Sequence, residues 1–156
     1  MAKPVMSGQN NALLDSLRSM GCGIKSTDGF TLVTLPDEYD EFVFEQLGEW
    51  LYLGTTLLTP EDFEASEFTA VLDRFLLELQ HRSLGCHFSY DGSGFLTIGT
   101  ELYLNQQTPE EVLQTMEQIA FVIDTCLPLC DRILETGELP ADKEIDAAFG
   151  VSENLH

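Results

Sequence analysis

The chain has 156 residues, of which 44% are hydrophobic, and its 27 acidic and 7 basic side chains give a formal net charge of −20. A surface this acidic repels nucleic-acid phosphates and anionic lipid headgroups, which argues against nucleic acid and membranes as partners. The length suits one folded domain that needs neither disulfides nor metals for its core. Because residues 1–11 lack the apolar run of a signal peptide, we expect a cytoplasmic protein with reduced cysteines.

The first quarter of the chain predicts a helix and a β-hairpin behind a flexible leader. Residues 1–8 form the leader, and apolar residues at helical spacing predict a helix over residues 9–20. Residues 22–35 predict two short strands joined at Asp28-Gly29, a dipeptide that is typical of tight hairpin turns. An acidic loop over residues 36–40 leads into the next strand.

The following segment predicts two strands and then a helix. The strands cover residues 41–46 and 50–58, and Thr59 is the predicted N-cap of a helix that has proline and two acidic residues in its first turn. Gly85 is expected to end this helix. The apolar stripe of the helix consists of Phe68, Val71, Leu72, Phe75, Leu76 and Leu79.

The second half of the chain repeats this order of elements. Residues 86–90 and 95–104 predict strands on either side of a turn over residues 91–94. Thr108 and Glu111 then form the capping box of a long amphipathic helix. The repeated unit therefore starts its second helix in the same way as its first, with the sequence Thr-Pro followed by acidic residues.

The end of the chain predicts a helix interrupted by proline and an acidic tail. Pro128 is expected to kink or end the long helix, with a further helical turn over residues 129–134. Residues 137–156 form an acidic C-terminal tail, which is expected to be either mobile or docked through Ile145 and Phe149.

The pattern of strand, turn, strand and helix thus occurs twice, offset by roughly 45–49 residues. The element order α-β-β-β-β-α-β-β-α predicts an α+β fold with an antiparallel sheet, helices mainly on one face and a duplicated ββα unit. We predict a single domain over residues 9–136, flanked by the leader at residues 1–8 and the tail at residues 137–156.

Alternation along the predicted strands divides the sheet into two faces. One face should pack against the helices through Leu51, Leu53, Leu57, Leu96, Ile98 and Leu102. The opposite face carries four aromatic residues, although the free face of such a sheet is normally polar. We predict that it binds a protein partner or a second copy of the chain, unless the tail or the first helix covers it. Its aromatic residues are Trp50, Tyr52, Phe95 and Tyr103.

The residue pattern predicts no catalytic, cofactor or metal site. Cys126 and Cys130 lie one helical turn apart and could join Cys86 and His87 around zinc, but such spacing on a helix is more typical of buried apolar cysteines. Cys86 and His87 are neighbours on a strand and point to opposite faces, which is poor geometry for a nucleophile and its base. The turn Asp91-Gly92-Ser93-Gly94 lacks the spaced acidic residues of a calcium loop.

The order of elements over residues 9–136 resembles the type III secretion chaperone-like fold. The segment from Cys86 to Asp124, with a strand, an Asp-Gly-Ser-Gly turn, a strand, a Thr-Pro-Glu-Glu motif and an amphipathic helix, resembles the YbjN family, as does the ending Val151–His156. The resemblance implies a small acidic cytoplasmic homodimer without enzymatic activity. Secretion chaperones of this fold hold an extended stretch of a client against apolar patches, whereas YbjN-like proteins are described as regulators.

We therefore hypothesise a non-enzymatic protein-binding module, a chaperone-like homodimer that holds an extended segment of a client protein. The alternative is a regulator that binds one folded signalling or transcription partner. A more distant alternative is a metal protein built on cysteine and histidine. A chaperone should capture an unfolded segment, whereas a regulator should prefer a folded surface.

Overall fold

The computed structural model describes residues 8–27, 30–36, 41–82 and 85–150. The predicted Asp28-Gly29 turn lies outside the described residues, as do most of the leader, most of the acidic loop and the end of the chain. The helices and strands, numbered in chain order, are α1 (Gly8–Ser19), β1 (Gly23–Thr27), β2 (Phe30–Thr34), β3 (Glu41–Leu47), β4 (Trp50–Leu58), α2 (Pro60–Phe63), α3 (Thr69–His81), β5 (His87–Tyr90), β6 (Leu96–Tyr103), a 3-10 turn (Leu104–Gln106), α4 (Pro109–Thr136) and α5 (Asp142–Ala148).

The strands form a six-stranded antiparallel sheet in the order β1-β2-β3-β4-β6-β5. Val33 lies opposite Phe42, and Phe44 lies opposite Leu53, so these four side chains share one face of the sheet. All four are buried. The α+β class, the antiparallel sheet and the order of helices and strands predicted from the sequence are confirmed.

The chain divides into two compact units. Unit 1 comprises Met1–Thr55 with Gly99–Ala120, and unit 2 comprises Thr56–Ile98 with Phe121–His156. The largest fully buried side chains of unit 1 include Leu17, Phe42, Leu51, Leu53, Met116 and Ile119. Those of unit 2 include Leu72, Phe75, Leu79, Leu96, Ile98 and Ile133. The predicted single domain over residues 9–136 stays a prediction.

The helix predicted after the fourth strand is two helices in the structure. α2 ends at Phe63, and α3 begins only at Thr69. Between them, the hydroxyl of Ser66 donates a hydrogen bond to the carbonyl oxygen of Leu134 at 2.7 Å and accepts one from the N–H of Phe68 at 3.1 Å. A serine side chain that bonds to backbone groups in this way competes with helical hydrogen bonds, which explains the break.

The long helix α4 continues through Pro128. The helix therefore does not end at this residue, contrary to one of the two expected outcomes. Proline lacks the N–H that would bond to the carbonyl oxygen of Asp124. The neighbouring side chains of Cys126, Cys130 and Ile133 are fully buried, and this packing offsets the missing hydrogen bond.

The first part of the predicted tail is docked within unit 2. Ile145 of α5 is buried, and the ring of Phe149 contacts that of Phe121 at a centroid distance of 6.2 Å. The guanidinium group of Arg82 also bonds to two aspartates of α5 at 2.6 and 3.0 Å. The structure thus shows the docked alternative for this part of the tail, through the two residues that the sequence indicated.

Gly137 ends α4 in a conformation that only glycine adopts without strain. Its φ is +73°, and its N–H donates a hydrogen bond to the carbonyl oxygen of Ile133 at 2.8 Å. A Cβ atom at this position would lie 2.6 Å from the ring of Phe68. Gly85 has a similar φ of +77°, but a Cβ atom there would meet nothing within 4 Å.

We expect Gly137→Ala to lower the free energy of unfolding by about 2–4 kcal/mol, and Gly85→Ala by about 1 kcal/mol. Both substitutions introduce the same backbone strain, but only the first forces the ring of Phe68 to move. Urea unfolding followed by circular dichroism measures both values. An equal loss of unfolding free energy in the two variants would show that the close approach of Phe68 to Gly137 does not affect stability.

Candidate functional site

The β3–β4 hairpin places apolar side chains on the face of the sheet that is opposite its buried face. The register pairs Leu47 with Trp50 and Glu45 with Tyr52. Because side chains alternate along a strand, these four point away from the face that holds the buried Leu53. Leu47 is 60% exposed and Trp50 is 50% exposed. Two large apolar side chains therefore lie together in solvent in unit 1.

Tyr103, at the end of β6, extends this exposed surface. Its ring packs against that of Trp50 at a centroid distance of 5.3 Å and an interplanar angle of 58°. Its hydroxyl donates a hydrogen bond to Oε2 of Glu49 at 2.5 Å, and this bond raises the pKa of the Tyr103 phenol. The N–H of Leu104 bonds to the carbonyl oxygen of Glu49 at 2.9 Å. One glutamate thus fixes both the backbone and the ring at this corner.

Tyr52 lies over Gly99, which is the reason for a glycine in the middle of β6. A Cβ atom on Gly99 would lie 2.7 Å from the Tyr52 hydroxyl oxygen and 2.8 Å from the carbonyl oxygen of Leu53. The close approach of ring and backbone therefore requires a residue without a side chain. We use the name aromatic face for the surface formed by Leu47, Trp50, Tyr52 and Tyr103.

Phe95 lies in unit 2, where it is half-buried at the end of a tight turn. Its N–H donates a hydrogen bond to Oδ1 of Asp91 at 3.0 Å, and the N–H of Ser93 bonds to the same oxygen at 2.8 Å. The segment from Asp91 to Gly94 is thus the hairpin turn that the sequence predicts. A part for Phe95 in partner binding stays a prediction.

Leu47 was missing from the residues predicted for this surface. The predicted strand ended at Gln46, one residue before Leu47, whereas β3 includes Leu47 as its last residue. Alternation from Val43 and Glu45 would have placed it beside Trp50, so the signal was present in the sequence. The predicted strand ended one residue too early, and this excluded Leu47 from the predicted surface.

The four cysteines are free and buried. Burial raises the pKa of the Cys86 thiol to about 11 and that of the Cys130 thiol to about 12. Burial also raises the pKa of the Cys22 thiol and that of the Cys126 thiol. The neighbouring thiols of Cys130 and Cys86 raise the pKa of Cys126 further. Thiols with such pKa values are protonated at neutral pH and are therefore poor nucleophiles and poor metal ligands.

Among the described residues, no group of three or more His, Cys, Asp or Glu side chains is placed to hold a metal ion. Within the same ranges, no helix combines the length and the apolar character needed to cross a membrane.

The fold is similar to that of chains in solved structures of protein complexes. A chain in the crystal structure of the ExsC-ExsE complex matches with a TM-score of 0.57 and 18% identity, over 80% of this chain and 97% of that chain. A chain in the structure of the HopA1-SchA chaperone-effector complex matches with a TM-score of 0.56 and 14% identity, over 79% and 99%. No protein-family model and no curated protein matches the sequence. At such identities these likenesses show the fold alone.

We expect the four cysteines to be almost inert towards Ellman's reagent in the folded protein at pH 7.5, because their thiols are buried and protonated. The measurement is the rate at which the absorbance of the released thionitrobenzoate rises, recorded in buffer and in concentrated urea. All four thiols should react rapidly in urea. Rapid reaction of one thiol in buffer would reveal a thiolate and would reopen the cysteine-based alternatives.

Proposed function

We propose that this protein is a chaperone-like, non-enzymatic homodimer that holds an extended segment of a client protein on its aromatic face. The observation that carries the proposal is the exposure of Leu47 and Trp50, an apolar pair on the sheet face opposite the buried one. The likeness to a chain of a chaperone-effector complex supports a protein partner. The acidic composition and reduced, buried thiols suit the cytoplasmic location that we propose with it.

The energetics of the aromatic face favour reversible holding. Covering its exposed apolar surface, on the order of 300 Å², contributes about 8 kcal/mol. Association itself costs about 4–15 kcal/mol in lost freedom of motion. The apolar contacts alone therefore give weak binding at best, and a client must add hydrogen bonds or charge interactions. Such a balance suits a chaperone, which has to release its client.

The proposed homodimer forms through α3. Leu77 on this helix is 66% exposed, and it lies between Arg74 and Glu78, whose side chains form an ion pair at 3.2 Å. A twofold axis places identical patches against each other, so an antiparallel pair of α3 helices would bring Arg74 near the partner's Glu78. The arrangement is thus self-complementary in charge around an apolar centre.

The finer assignment to the YbjN family is proposed on the sequence pattern from Cys86 to Asp124. It would place the protein among regulators, which is the alternative function. The two functions differ in the state of the partner that they require. A client held by a chaperone is unfolded along the bound segment, whereas a regulated partner presents a folded surface.

We expect Trp50→Ser to weaken the binding of an unfolded polypeptide by about tenfold or more, because the largest exposed ring of the aromatic face is lost. The probe is reduced, carboxamidomethylated ribonuclease A with a fluorescent label, and the measurement is its fluorescence anisotropy. Leu139→Ser, which removes an exposed apolar side chain elsewhere, is the matched control and should bind normally. Native ribonuclease A, with the same sequence, should not bind.

Two results would contradict the proposal. Unchanged binding by Trp50→Ser would remove the aromatic face from the site. Binding of native but not unfolded ribonuclease A would favour the regulator. Because ribonuclease A contains no tryptophan, a shift in the emission of Trp50, the single tryptophan of the chain, provides an independent readout with the unaltered protein.

We expect light scattering to give a mass of twice 17.4 kDa for the unaltered chain and of one chain for Leu77→Asp. An aspartate at the centre of the proposed twofold interface would face its own copy and would be buried without a partner. Trp50→Ser should remain dimeric. The opposite pattern, with dimeric Leu77→Asp and monomeric Trp50→Ser, would make the aromatic face the dimer interface.

A further inference from the structure

Carboxylates and aromatic rings alternate across the aromatic face. Glu45 of β3 lies directly opposite Tyr52 of β4. On the other side of β4, the ring of Trp50 packs against that of Tyr103 on β6. Glu101 lies two residues before Tyr103 on β6, so alternation places its side chain on the same face as that ring. Each strand beside β4 therefore carries a carboxylate on this face, Glu45 on β3 and Glu101 on β6.

The distances in a sheet bring both carboxylates within reach of one cation. Neighbouring strands lie about 4.8 Å apart, and the ring of Tyr52 leans from β4 over Gly99 on β6. A positive group on this ring therefore lies next to the strand of Glu101 and about one strand spacing further from that of Glu45, within the reach of a glutamate side chain. The rings of Trp50 and Tyr103 continue the surface, and Glu49 stands at its end. The flat side of an aromatic ring attracts cations through its negative π-cloud, and the carboxylates add to this attraction.

Lys25 is the only lysine or arginine within the six described strands, and it stands apart from the rings. Lys25 lies opposite Leu32, and Leu32 lies opposite Val43, so Lys25 belongs to the row of residues that ends at Gly54 on β4. The row with Glu45 and the rings is the next one along the strands. The aromatic face is thus locally acidic in a chain that already carries a net charge of −20.

We propose that the aromatic face binds a basic extended segment of the client, with an arginine or lysine side chain stacked on its rings between Glu45 and Glu101. This inference rests on the proposed function and names the chemistry of its client. A segment with alternating basic and apolar residues fits best, because residues of an extended chain alternate in direction with the same period as the sheet. The basic side chains lie over Tyr52 and Trp50, and the charge attraction supplements the limited apolar contact.

The test compares two synthetic peptides that differ only in charge. One is a 12-residue peptide of alternating arginine and valine, and the other carries citrulline, a neutral isostere, at each arginine position. Binding at physiological salt is followed by the fluorescence anisotropy of a label at the end of each peptide, with Trp50 emission as a second readout in the variants that keep this residue. We expect the arginine peptide to bind at least tenfold more tightly than the citrulline peptide, because each arginine side chain is attracted by the aromatic rings and by the carboxylates.

Charge-removing variants then separate the local site from the overall charge. Glu45→Gln/Glu101→Gln should weaken the arginine peptide about tenfold and leave the citrulline peptide unchanged. Glu110→Gln/Glu117→Gln removes the same charge from exposed positions of α4 in unit 1 and should bind the arginine peptide normally. Circular dichroism and the midpoint of thermal unfolding confirm that both variants are folded.

Each remaining outcome overturns a defined part of the proposal. Equal affinity for both peptides, lost in Trp50→Ser, would overturn the basic client and leave the proposed function intact. Equal weakening by both pairs of glutamine substitutions would show long-range charge attraction and overturn the local site. If neither peptide binds while unfolded ribonuclease A does, the site takes another client chemistry. If none of the three binds, the proposed function fails as well.

Discussion

The alternation of side chains along β3 and β4 is the constraint on which the candidate site depends. Phe42, Phe44, Leu51 and Leu53 are buried on one face, and burial of four such side chains contributes on the order of 8 kcal/mol. A slip of one residue in β3 would expose Phe42 and Phe44 and bury Glu45, and a slip in β4 would expose Leu51 and Leu53. The register is therefore fixed by the core, and the outward direction of Trp50 follows from it. The exposure of the apolar pair is a consequence of the same packing that stabilises the fold.

The surface that results is held in place by its neighbours. Glu49 bonds to the ring of Tyr103 and to the backbone beyond it, while Gly99 leaves room for the ring of Tyr52. Rings fixed in this way lose little further freedom when a partner binds, so a larger share of the contact energy appears as affinity. The surrounding carboxylates keep such an apolar surface soluble and also determine which partners can approach it. In the proposed function, the same carboxylates serve both the solubility of the surface and the choice of client.

Fold likeness alone would not assign a function to this chain. The same architecture can carry unrelated activities, and an identity of 18% shows the architecture only. The side chains themselves supply the functional argument. The four thiols are buried and protonated, whereas Leu47 and Trp50, two large apolar side chains of unit 1, are exposed. A surface of this kind is suited to binding another polypeptide.

The sequence by itself determined the α+β class, the order of the strands along the chain and the outward direction of Trp50 and Tyr52, because these follow from local periodicity. It could not show that Ser66 interrupts the second helix, since the bond that it makes is to Leu134, far along the chain. Nor could it show that the helix passes through Pro128, because burial against the rest of unit 2 decides this. The pairing of Trp50 with Tyr103 and the contact of Tyr52 with Gly99 likewise join strands that are distant in sequence. Local patterns fix which way a side chain points, and only tertiary packing decides what it meets there.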